Sequence, residues 1–314
     1  MINTIGYKFM QGKDFPLVSV IMNCYNGAEY LREAIDSIYA QTYQNWEIIF
    51  WDNASTDNTA KIAKSYDDRL KYFKSDNTTP LGEAKSLALK EANGDYLSFL
   101  DCDDCLFPNK FKIQIEILEK NPTIYLLYSS YDVIDARGFL KRDFHVPDNN
   151  SVNFCSLIKR YPINQQTVLF RKKVLDNKHI FINKSLTYSP DYDFFIKIAS
   201  EFNIGSHKEK TVQYREHSNS LSKRKLMAVS NDVGSTLTYL EKENNLKIRC
   251  PYELIDAKKK LTYYDVIYFI SINKRKIALK RLETIIFNRV PYFLLFIFLW
   301  IRIPNKLLLK LLKR

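Results

Sequence analysis

Short apolar runs alternate with stretches of helical period over the first 120 residues. LVSVIMNCY (17–25) is a β-rich run that stops at polar Asn23 and at Asn26-Gly27. In YLREAIDSIYAQ, Leu31, Ala34, Ile35 and Ile38 recur at helical spacing. WEIIFWD (46–52) reads as a second buried strand, and the polar residues of NASTDNTAKIAKSY open another helix. LKYFKSD (70–76) is a third strand, LGEAKSLALKEANG (81–94) a helix closed by Gly94, and DYLSFLD (95–101) a fourth strand. This alternation predicts an α/β fold, a parallel sheet with helices on both faces.

Ligands of such sheets bind outside the carboxyl ends of the strands. The polar residues placed there are Asn23, Asp52 and the cluster Asp101, Asp103 and Asp104 in FLDCDDC. Carboxylates so close repel one another unless a cation joins them. Hard oxygen ligands suit Mg2+ or Mn2+, which in turn hold phosphate oxygens. The same residues also read as a solvated acidic turn capping the next helix, with Pro108 near its start.

The stretches PLVSVIMNCYNGAEYLREAIDSIYAQTYQNWEIIFWDNASTDNT and GEAKSLALKEANGDYLSFLDCDDCLFPNKFKIQ resemble the family 2 glycosyltransferases, with the likeness running over roughly residues 16–220. That resemblance implies the GT-A fold, a Rossmann-like, mostly parallel central sheet. It implies a cradle for the nucleotide at Val20–Tyr25, with Asn23 and Tyr25, and at Asp52, Ser55 and Asp57. Because an Asp can accept the N3–H of uracil, a UDP-sugar is the first donor expected. Lys85 and Ser86 stand where the family usually has Arg-Asn, so a bidentate contact becomes a point charge near the nucleotide or the metal carboxylates.

The resemblance also implies roles for the acidic residues. Asp103 would be the principal ligand of Mg2+ or Mn2+, Asp101 would face the ribose or the metal's water, and Asp104 would support the loop. In YSPDYDFFIKIAS (188–200), Asp191 falls on the position of the general base, although Pro190 replaces an acidic residue usual there. A helix cap is the alternative reading of Asp191. In VQYREHSNSLS (212–222), Arg215 and His217 would face the diphosphate, with His217 also counted toward the metal. The implied reaction is a single inverting displacement on a nucleotide-sugar by an acceptor hydroxyl.

Composition changes the picture mainly through charge. The chain has 314 residues and a formal net charge of +12. Residues 1–120 hold 13 Lys/Arg against 18 Asp/Glu, whereas residues 271–314 hold eleven basic residues against Glu283 alone. Such asymmetry points to a polyanionic partner surface. YFLLFIFLWI (292–301) is too short to span a bilayer, and NKLLLKLLKR sets Lys306, Lys310 and Lys313 opposite leucines. Basic, aromatic and amphipathic, the tail is expected to lie on an anionic membrane, close to a glycan or lipid-linked acceptor. Packing on the enzyme or on a partner is the alternative, and the apolar runs argue against nucleic acid.

The expected organisation is a glycosyltransferase domain over 1–225 and a helical region over 226–314. No secretory leader is read in MINTIGYKFMQGKDF, and five cysteines without a pattern argue against a disulfide framework. A cytoplasmic protein, peripheral on the inner face of the membrane, is expected. Cys102-x-x-Cys105 has zinc or redox spacing but no second pair. The competing functional class is a non-catalytic subunit that binds nucleotide-sugar or membrane within a glycan-assembly complex.

Overall fold

Each apolar run of the first hundred residues becomes a strand. In chain order the elements are β1 (Val18–Cys24), α1 (Leu31–Tyr39), β2 (Trp46–Asp52), α2 (Thr59–Ala63), β3 (Leu70–Lys74), α3 (Leu81–Lys90) and β4 (Tyr96–Phe99). The strands pair in parallel in the order β3-β2-β1-β4. The computed structural model describes residues 15–218 and 226–283.

Beyond β4 come β5 (Cys105–Leu106), α4 (Lys110–Lys120), β6 (Leu126–Asp135), β7 (Leu140–Phe144), α5 (Phe154–Lys159), β8 (Leu169–Arg171), α6 (Pro190–Glu201) and β9 (Ile204–Glu216). β8 runs antiparallel to both β4 and β6, and β6 is parallel to β9. The sheet thereby continues past the parallel strands into a mixed part. β5 joins it antiparallel to β9, and β7 antiparallel to β6.

Alternation along the strands sorts the core into two faces. Val18, Val20, Met22 and Cys24 of β1 join Ile48, Phe50 and Leu100 in one cluster with Leu31, Ile35 and Ile38 of α1 and Phe111 and Ile115 of α4. Phe99 turns the other way, its ring edge-on to Phe194 and Phe195 of α6. Phe170 and Phe195 are fully buried, so truncating either to Ala would cost about 3–5 kcal/mol.

Two local readings need correction. α3 ends at Lys90, short of Gly94. A Cβ on Gly94 would lie 2.6 Å from the Ser19 nitrogen and 2.7 Å from the Leu17 oxygen, so this glycine permits a close backbone approach rather than capping the helix. The helix opened by NASTDNTAKIAKSY is also short, five residues at α2.

The chain forms two compact units. Among the described residues, one comprises 15–152 and 162–217, the other 153–161, 218 and 226–283. The expected boundary at 225/226 misses α5, which packs with the helix at Pro251–Ser271 although it sits in the middle of the chain. Besides α5, the second unit contains α7 (Leu226–Glu243), α8 (Leu246–Arg249), α9 (Pro251–Ser271) and α10 (Arg275–Glu283). Leu157, Leu240, Leu254, Val266, Ile270 and Leu282 are buried within it.

A Cys155–Cys250 disulfide ties α5 to the start of α9 across 95 residues of sequence. The chain thus carries one disulfide where five cysteines without a pattern argue against a disulfide framework. Cys24, Cys102 and Cys105 are free. Among the described residues, no helix is long and apolar enough to cross a membrane. The amphipathic tail, Ile285, Ile286 and the first fourteen residues lie outside the described residues.

Candidate active site

The chain leaves β4 and turns at once, with the Asp104 nitrogen donating to the Asp101 carbonyl at 3.3 Å. That turn brings Asp101, Asp103 and Asp104 together, so that one carboxylate oxygen from each lies within 4.8 Å of the others. Among the described residues, none of the three carboxylates forms an ion pair with Lys or Arg. Asp104 is 1% exposed, and its Oδ2 is buried without a hydrogen-bond partner. Burial, then the charges of Asp103 and Asp101, push its carboxyl well above the usual range. Burial and Asp101 also raise Asp103, against the pull of His217. Uncompensated negative charge in a half-buried turn fits a divalent cation, and all the donors are hard oxygens.

His217 follows β9 and places Nε2 2.8 Å from Asp103 Oδ2, with its ring packed on Tyr30 at 5.2 Å. Arg215 is a different matter. It is 3% exposed, and its guanidinium donates to the Asp103 carbonyl (2.9 Å), the Ala136 carbonyl (3.3 Å) and Glu33 (2.5 Å) while lying over the Tyr30 ring. Its backbone nitrogen donates to Asp104 Oδ1 at 2.6 Å. Arg215 thus braces the acidic turn, through the Asp103 carbonyl and Asp104 Oδ1. Tyr30, just before α1, and Glu33, in its first turn, complete that brace and carry no signal in the sequence beyond their place at the start of that helix.

Lys85 of α3 is 4% exposed and hydrogen-bonds Gln165, whose Nε2 donates to Asp101 Oδ1 at 3.1 Å. Gln166 Nε2 donates to Asp101 Oδ2 at 2.6 Å. Both glutamines lie on a single 3-10 turn, Gln165–Thr167, before β8. A neutral amide matches no charge motif, so neither glutamine is among the residues expected from the sequence.

α6 presents the remaining acid. Pro190 occupies its first turn, with Asp191 and Asp193 in the same turn. Two residues apart on a helix means about 200° around the axis, so the two carboxylates diverge. Asp193, 1% exposed, turns inward and pairs with Lys197 at 2.6 Å. Asp191 is half-buried and within electrostatic range of both Lys85 and Asp101. Burial raises its carboxyl above the ordinary value, Lys85 pulls it down, and Asp101 pushes it up.

The other predicted residues knit the first two loops together. Asp52 is fully buried and accepts from the Ser55 nitrogen (2.7 Å) and the Tyr72 hydroxyl (2.6 Å). Ser55 Oγ accepts from the Asn26 nitrogen, and Asp57 from the nitrogens of Ala28 and Thr59. Asn26 and Ala54 hold positive φ, 51° and 64°, at these turns. Tyr25 is 54% exposed at the rim. The Asn23 amide is the exception: both its polar atoms are buried and without a partner. Gly27 joins this group to the acidic turn. A Cβ there would meet the sulfurs of Cys24 and Cys102 at 2.5 and 2.6 Å. Trp51 stacks on Phe73 and donates to Ser75.

The family model of glycosyl transferase family 2 matches residues 19–185. An uncharacterized glycosyltransferase of Rickettsia felis is 36% identical over 217 residues, 67% of this chain and 36% of that protein. The chain thus spans about a third of that relative's length. The Escherichia coli UDP-Glc:alpha-D-GlcNAc-diphosphoundecaprenol beta-1,3-glucosyltransferase WfgD is 32% identical over 192 residues, 60% of this chain and 72% of that protein. Among solved structures, S. aureus TarS 1-349 in complex with UDP-GlcNAc superposes with a TM-score of 0.61 at 17% identity. It covers 79% of this chain and 81% of that one. At that identity the likeness concerns the fold.

Proposed function

The chain belongs to glycosyl transferase family 2, and on that premise we propose that it moves a sugar from a nucleotide-sugar to an acceptor hydroxyl with inversion. A UDP-sugar is the favoured donor, and a glycan or lipid-linked glycan the acceptor. The observation that carries the reading is the cation-ready turn of Asp101, Asp103 and Asp104 with Asp191 across from it, at the carboxyl edge of the parallel strands.

Asp191 takes the proton of the acceptor hydroxyl as that oxygen attacks the anomeric carbon. A carboxylate raised by burial is a better base than an exposed one, which suits this task. Asp101, Asp103 and Asp104, with His217 at the edge of the set, would hold Mg2+ or Mn2+, which when bound offsets charge on the departing diphosphate. Lys85 adds a fixed cation on the same side. Asn23 offers an unpaired amide donor and acceptor to the nucleotide, beside the loops of Asp52, Ser55 and Asp57. Arg215 keeps the acidic turn in shape.

The named activity of the Escherichia coli relative supports a lipid-linked acceptor. The basic, leucine-rich segment of residues 302–314 supports a peripheral position on the inner face of a membrane. Purified protein incubated with candidate nucleotide-sugars, Mn2+ and membrane lipid extract is expected to release nucleoside diphosphate, and Asp191→Asn to abolish release with donor binding retained. Donor binding without turnover for every nucleotide-sugar would sink the reading in favour of a scaffold.

A further inference from the structure

Asp101 is held in an uncommon way for a carboxylate in a cation site: each of its oxygens accepts from a neutral amide, one from Gln165 and one from Gln166. Chemistry fixes the orientation of Gln165. Lys85 has only donors, so the amide oxygen faces the ammonium and the amide nitrogen faces Asp101. One amide group therefore stands between a buried cation and a carboxylate that would otherwise pair directly.

The turn carrying both glutamines is itself braced. Asn164 Oδ1 accepts from the Gln166 nitrogen at 3.0 Å. Gln114 Nε2 donates to the Thr167 carbonyl at 2.8 Å, and Lys110 Nζ to the Val168 carbonyl at 3.3 Å. Ser98 of β4 donates to that same Val168 carbonyl at 2.8 Å. Lys110 and Gln114 are fully buried on α4, so a polar pillar from that helix fixes the turn.

We propose that Gln165 and Gln166 are positioning residues that orient Asp101 for a divalent cation without neutralising it, and that Gln165 keeps Lys85 one amide away. An arginine or lysine in their place would hold Asp101 equally well but would repel the ion. A neutral donor fixes the geometry and leaves the charge. Without Gln165, the Lys85 ammonium is free to close on Asp101 and compete with the cation for it. The inference rests on the reading of the acidic turn as a cation site.

The test is Mn2+ uptake in the presence of UDP, followed by the loss of the free-ion electron paramagnetic resonance signal. Gln166→Met and Gln165→Met are each expected to weaken Mn2+ binding about tenfold or more, in the range typical of groups that orient a metal ligand. Gln165→Asn and Gln166→Asn, which stay polar but fall short of Asp101, serve if the methionine variants do not fold. The diagnostic is non-additivity: adding Lys85→Met to Gln165→Met restores part of the lost affinity, which loss of a packing role would not do. Wild-type affinity in the single variants, or a double variant as weak as Gln165→Met, overturns the proposal while the cation site stands. A wild-type chain that takes up no Mn2+ overturns both.

Discussion

The first unit contains two Asp-x-Asp steps, and their fates differ. Asp101-Cys102-Asp103 lies where a strand ends and the chain turns, and its carboxylates converge with Asp104. Asp191-Tyr192-Asp193 opens a helix, and its carboxylates part: one faces the site, the other forms an ion pair with Lys197 in the core. The residue pattern is the same, and the backbone decides. Acids on a turn can share a ligand, whereas acids spaced by two on a helix are given separate tasks.

The sharpest way to break this contrast is to neutralise one member of each step. Asp103→Asn is expected to remove Mn2+ binding and turnover together. Asp191→Asn is expected to lower kcat about 10^2–10^4-fold, the usual worth of a positioned base, with Mn2+ and donor binding intact. Steady-state kinetics with calorimetric binding separates the two. Equal loss of metal binding in both variants would mean that the two steps form one site.

Next in size is the buried half of the helical step. Asp193 and Lys197 are 1% and 2% exposed. Asp193→Ala leaves the buried Lys197 ammonium without its carboxylate and is expected to cost about 3–5 kcal/mol of stability by denaturant unfolding. The double variant Asp193→Leu/Lys197→Met is expected to recover most of that loss, since the pair's desolvation disappears with it. An unfolding midpoint left unmoved by Asp193→Ala would show that Asp193 is not structural.

How much of this was legible beforehand follows from what each feature depends on. Strands β1 to β4 and the acidic cluster were readable because apolar runs and adjacent charges are local. The glutamines were not: their approach to Asp101 depends on β8 pairing antiparallel with β4, between residues some seventy apart in sequence. Arg215 is placed near the diphosphate by resemblance, yet it is buried against the acidic turn, and a sequence does not tell which side of a loop a guanidinium takes. Cys155 and Cys250 lay too far apart to be read as a pair. Asp52, placed beside a nucleotide by resemblance, has both oxygens engaged by Ser55 and Tyr72.

A pH profile sharpens the role of Asp191. The base must be ionised to accept a proton, so activity falls as pH drops through its pKa. Burial has moved that pKa upward, and the acid limb of kcat is expected above the value of about 3.9 for an ordinary aspartate. Lys85 pulls the pKa down, so Lys85→Met should move the limb to still higher pH. A limb that stays put in that variant would place the lysine too far from Asp191 to be felt.

The smallest expected effect tests the backbone argument itself. Pro190 sits in the first turn of α6, where a missing N–H leaves no intrahelical bond unmade and a fixed φ favours the helix. Pro190→Ala should therefore act mostly through the unfolded chain, lowering stability by less than about 1 kcal/mol. KM and the acid limb should stay where they are, because the helix itself, not the proline, separates Asp191 from Asp193. A change in the acid limb would mean that Pro190 also sets the burial of Asp191, and that the direction of this carboxylate depends on its neighbour as well as on the helical turn.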